Sequence, residues 1–177
     1  RLDVEYSYQL AKRMEQFRSN PVLGYRTAGS KAEFETGEML FQEMKRIGLR
    51  DVVKDPFTLD TWEFSHAKLS FDGIVCELGG YQTNFDTQGP REFQLLYAGR
   101  GTAADLDGLD LEGKLVLITI NQREDWWISY PVYEAYLRRA SAVIAVQDNG
   151  YGQVDSAALN AQNICSIPDA PAFSISQ

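Results

Sequence analysis

Apolar positions near the amino terminus recur every three or four residues. Val4, Ser7/Tyr8, Ala11, Met14 and Phe17 make one stripe, which predicts an amphipathic helix from about Asp3 to Arg18. Asp3 can cap it, and Asn20-Pro21 ends it, because a residue before proline avoids the helical region. A glycine-bearing loop follows, Gly24-Tyr25-Arg26-Thr27-Ala28-Gly29. Ser30-Lys31-Ala32-Glu33 then reads as a capping box, with the Ser30 hydroxyl accepting from the Glu33 amide and Glu33 reaching back. The second predicted helix carries Phe34, Leu40/Phe41, Met44 and Ile47 on one side. Gly48 suits the position just past its end, with Leu49 folding back on the last turn.

After residue 50 the period changes to two. Val52-Val53 to Leu59 reads as a strand, confined by Pro56 to a sheet edge or to two pieces. Ala67–Phe71, Gly73–Leu78 and Phe93–Tyr97 read as further strands. Leu115–Ile120 is apolar almost throughout and should be central. A helix from about Pro131 to Ala140 follows, with Ser129 as a cap and Pro131 in the first turn. Ala142–Val146 reads as a buried strand, Asp148-Asn149-Gly150 as a turn, 151–165 as loop, and Ala170–Ile175 as a last strand. The step from 115 to 146 has the length of a parallel crossover, while most other connections read as antiparallel hairpins. The fold class is therefore α+β. Residues 1–60 form a helical lead of two helices and a strand. Residues 61–177 form a β-rich unit, a sandwich or open barrel with flanking helices.

Charge follows the same division. Residues 1–50 carry nine Lys/Arg against seven Asp/Glu, a net of +2, and residues 51–177 carry eight against eighteen, a net of −10. The total over 177 residues is −8, which argues against a nucleic-acid partner, since binding one needs a basic stripe. No run approaches ~18 apolar residues, so no membrane-spanning helix is expected. The first residues, Arg1-Leu2-Asp3-Val4-Glu5, hold no apolar leader segment.

Little in the chain points to catalysis. His66 is the single histidine, which excludes any site built on two, and no serine sits in a Gly-x-Ser-x-Gly turn. Cys76 and Cys165 either pair in an exported protein or remain two thiols acting as small apolar groups. Gly99-Arg100-Gly101-Thr102-Ala103-Ala104 has dinucleotide-fingerprint spacing, but the glycine-rich acidic stretch after it leaves no room for the helix that would hold a pyrophosphate. That stretch offers Asp105, Asp107, Asp110 and Glu112 as hard oxygen ligands for calcium, in an order unlike an EF-hand. Its interleaved Leu106, Leu109 and Leu111 favour a loop pinned to the core with its acids in water. Trp126, Trp127, Tyr130, Tyr133 and Tyr136 form an aromatic cluster that serves either as core or as an interface. Trp126, Trp127 and Tyr130 are the candidate interface or substrate contacts.

Two motifs resemble known proteins. Gly24-Tyr25-Arg26-Thr27-Ala28-Gly29-Ser30, with a helix closing on Met44-Lys45-Arg46-Ile47-Gly48-Leu49, resembles the opening of the zinc aminopeptidases of metallopeptidase family 28. Tyr97-Ala98-Gly99-Arg100-Gly101-Thr102, followed by Gly113-Lys114-Leu115-Val116-Leu117-Ile118, resembles the protease-associated domain that this family carries as an insertion. That domain ordinarily has Gly-Ala before its second central strand; Arg139-Ala140 stands here, which predicts a different helix end. The resemblance implies a chain that is the non-catalytic amino-terminal part of an exported zinc exopeptidase, with the domain incomplete at its carboxyl end. The inserted domain would shield the active-site mouth or contact peptide or protein substrates. The family's His-x-Asp, bridging Asp, Glu-Glu pair, further acid and final His have no counterpart here, so no catalytic residue and no zinc ligand is assigned, and the chain alone should be inactive. Zinc would belong to the absent catalytic domain, and the location would be extracellular or in the cell envelope. The alternative is a ligand-binding module of a transferrin-receptor-like or sorting-receptor-like protein. Expected partners are a substrate, the missing domain or a second copy.

Overall fold

The computed structural model describes residues 3–21, 26–80, 82–121, 129–147 and 169–175. The chain is α+β. It divides into two compact units, Arg1–Ser65 and His66–Gln177.

The first unit is built on helices α1 (Val4–Glu15) and α2 (Lys31–Arg46). Asp3 caps α1, its carboxylate accepting from the Tyr6 amide at 2.9 Å. At the other end the Arg26 guanidinium donates to the carbonyls of Met14 and Phe17, at 2.8 and 3.3 Å, and so ties the segment after the loop to the end of α1. Ser30 caps α2 through the Glu33 amide. The return bond differs from a standard box: the Ser30 amide already donates to the Thr27 carbonyl, so Glu33 takes the Gly29 amide. Gly48, at φ +89°, ends α2 as expected, with Gly48 N–H bonded to the Lys45 carbonyl and Leu49 N–H to that of Met44.

The helical periods are as read, but only part of each predicted apolar face is covered, Met14 and Phe17 in the first stripe and Leu40 and Phe41 in the second being half-buried. On α1 the half-buried positions are Tyr6, Leu10 and Met14, with Phe17 just past its end, while Val4 and Tyr8 are exposed. On α2 the inner face is Ala32, Thr36 and Glu43, and Phe34, Met44 and Ile47 point outward. A polar knot decides this. Glu43 is 5% exposed; its carboxylate accepts from the Tyr6 hydroxyl at 2.7 Å and twice from Arg46, at 2.6 and 3.0 Å. Arg13 stands 3.5 Å away. A buried carboxylate is tolerable only when bonded in this way. Val52–Leu59 forms no strand, correcting the expectation for residues 1–60: Pro56 cannot donate to a ladder, and the described part of this unit has no strand to pair with. Val53 and Phe57 are exposed.

Arg46, first, and then Tyr6 hold the Glu43 carboxyl at about 2, below its ordinary 4.5. A pKa lowered by folding stabilises the folded state above the unfolded value, and that contribution is lost as pH falls through the folded value. Between about pH 5 and pH 2 the first unit should therefore lose stability through this group. Urea midpoints measured across that range should fall more steeply in the parent chain than in Glu43→Gln; parallel slopes would show that the carboxylate does not contribute.

Among the described residues the second unit is one mixed sheet of six strands, curled into a half-barrel, in the order β1-β2-β6-β5-β4-β3. The strands are β1 (Ala67–Phe71), β2 (Ile74–Gly80), β3 (Leu95–Tyr97), β4 (Leu115–Ile120), β5 (Ala142–Gln147) and β6 (Ala172–Ile175). Helices α3 (Ala103–Leu106) and α4 (Ser129–Leu137) complete the described elements. β1 and β2 are an antiparallel hairpin around Asp72-Gly73, both at positive φ, the geometry of a type I′ turn. β4 and β5 are parallel, as the crossover length predicts. The β3–β4 and β5–β6 pairs are parallel too, although the sequence reads most such connections as antiparallel hairpins. The connection from β3 to β4, residues 98–114, is long enough for a crossover and holds α3, a single turn.

Alternation along β4 and β5 builds the core. Val116, Ile118 and Ile120 share one face with Val143 and Ala145, and cluster with Leu106, Val132 and Ala135 of the helices. Ile144 and Phe173 are neighbours in the ladder and buried. Phe85 meets Phe173 edge-on at 5.6 Å, and the Thr83 hydroxyl donates to the Ala172 carbonyl at 2.9 Å, fixing the loop between β2 and β3 to the last strand.

Candidate functional site

The Tyr97–Thr102 motif is the exit turn of β3. Gly101 N–H closes on the Ala98 carbonyl at 2.8 Å, and the Thr119 amide of β4 donates to the Gly99 carbonyl at 2.8 Å. Gly101 has φ +70°, and a Cβ there would lie 2.8 Å from Pro131 Cβ and 3.0 Å from Ile118 Cγ2. This is the close approach of turn, sheet and α4 that only glycine permits.

Thr102 caps α3 in a reciprocal box. Its hydroxyl accepts from the Asp105 amide, and the Asp105 carboxylate accepts from the Thr102 amide at 3.0 Å and the Thr102 hydroxyl at 2.8 Å. These bonds to Thr102, and the Arg100 amide after them, hold the Asp105 carboxyl below its usual range. The amides that a bound phosphate would use are thus occupied by the protein's own carboxylate.

The other candidate calcium ligands part company. Asp107 follows α3 and is exposed. Asp110 accepts from Lys114 Nζ at 2.9 Å and from the Glu112 amide, and the lysine, first, keeps its carboxyl low. Glu112 pairs with Arg139 at 3.2 Å. Leu106 and Leu111 are each 1% exposed and Leu109 is 37% exposed, so two of the three leucines anchor the stretch. Among the described residues no group of three or more His, Cys, Asp or Glu is placed to hold a metal ion.

Trp126, Trp127 and Cys165 lie outside the described residues, as do Gly24 and Tyr25, the turn at 148–150 and the predicted loop 151–165. Tyr130, Tyr133 and Tyr136 are exposed on α4. Tyr133 and Tyr136 stack with ring centroids 6.4 Å apart, and a hydrogen bond to Glu134 raises the Tyr130 hydroxyl above its ordinary pKa. His66 is exposed and Cys76 half-buried on β2.

The end of α4 departs from its expectation. Arg139 N–H bonds to the Tyr136 carbonyl at 2.8 Å and Ala140 N–H to the Ala135 carbonyl at 3.1 Å, the same pair of bonds that closes α2 around Gly48. Arg139 occupies the glycine position at φ +62°, so the substitution leaves the cap unchanged and places an arginine in it. Its carbonyl accepts from the Gly113 amide at 3.0 Å. Arg139→Gly should relieve the left-handed backbone and raise stability by up to about 1 kcal/mol, because the exposed pair with Glu112 is worth little. A lower melting temperature in the variant would show that the ion pair outweighs the backbone cost.

No protein-family description matches the chain, and no curated protein does. Solved structures do. BSAP, a zinc aminopeptidase from Bacillus subtilis, aligns over 96% of this chain and 38% of its own length, at 20% identity and a TM-score of 0.57. A second structure of the same enzyme gives 0.55 at 19% identity, with the same coverage. An aminopeptidase from Aneurinibacillus sp. strain AM-1 aligns over 99% of this chain and 38% of its own, at 22% identity and 0.47. The likeness to BSAP is one of fold, and the chain spans 38% of that enzyme's length. No helix of the described residues is long and apolar enough to cross a membrane.

Proposed function

We propose that this chain is the non-catalytic amino-terminal portion of a zinc-dependent, aminopeptidase-like exopeptidase. The His66–Gln177 unit is its protease-associated domain, which screens the active-site mouth or makes substrate and protein contacts. One observation carries the reading: the fold matches 96% of this chain to part of a zinc aminopeptidase. The outward apolar side of α2, with Phe34 at 70% exposure, supports assigning the first unit to a larger peptidase fold. In this reading the metal and every catalytic step belong to the rest of the parent protein, outside the cell or in its envelope; among the described residues no group of three or more His, Cys, Asp or Glu is placed to hold a metal ion.

The test compares residues 1–177 with the full parent polypeptide on an aminoacyl 4-nitroanilide. The parent should turn it over, lose that activity to a chelator and regain it with Zn²⁺. Residues 1–177 should show none with or without the metal. Zinc-dependent turnover by residues 1–177, or a parent inert under all conditions, would overturn the proposal.

A further inference from the structure

We draw no further inference here: the strongest candidate, the row of exposed tyrosines Tyr130, Tyr133 and Tyr136 on the outer face of α4, carries nothing because nothing in the structure shows what covers it.

Discussion

Replacing Gly101 with alanine should destabilise the His66–Gln177 unit by about 3 kcal/mol. Two costs coincide at this position. A side chain at φ +70° is strained wherever it stands. The new methyl would also lie 2.8 Å from Pro131 and 3.0 Å from Ile118, neither of which is the end of a flexible side chain. Ile118 is 1% exposed in β4 and Pro131 lies in the first turns of α4, so relief means moving the helix from the sheet. Gly108 separates the two costs. Its φ is +73°, but nothing lies within 4 Å of the place a Cβ would take there, so Gly108→Ala should lose only the backbone part, about 1 kcal/mol. Denaturant unfolding of both variants measures the difference. Equal losses would mean that the contact between turn and helix is not tight.

The second large effect concerns the acidic stretch. Leu106→Ala and Leu111→Ala should each cost about 2–5 kcal/mol, the range for emptying a buried leucine site. Leu109→Ala should cost below about 1 kcal/mol, since that side chain already meets water. The contrast separates two accounts of the acids. If leucines fix the loop, unfolding midpoints follow leucine burial and do not respond to calcium. A midpoint that rises with millimolar Ca²⁺ in the parent chain would instead show the acids binding the ion.

The strands and helices that alternate with a clear period were legible in the chain. β1 and β4 begin and end where the sequence places them, because each is a full run of one texture between turn residues. Caps were legible for a similar reason: Asp3, Ser30 and Gly48 act within a few residues of themselves. What was not legible depends on distant partners. The outward turn of α2 follows from Tyr6, thirty-seven residues from Glu43, drawing a polar face inward. The parallel pairing of β3 with β4 runs through a connection whose helix has only four residues, too short to show a period. The site was less legible than the fold. The motif residues proved to be turn, cap and close-approach positions, which explains their spacing through architecture and leaves chemistry to side chains elsewhere.

The position of β6 has a consequence for how the chain acquires its shape. This last strand lies between β2 and β5, pairing Gly79 with Ser174 on one side and Val143 with Ala172 on the other. Until it is made, the hairpin and the parallel block are separate fragments, each with an unpaired edge. On the ribosome the second unit therefore cannot close until β6 has emerged, and closure joins residues almost a hundred positions apart. Such distant pairings form slowly, and open edges invite pairing with other chains meanwhile. The strand that joins hairpin to parallel block is thus also the one that covers the two edges between them.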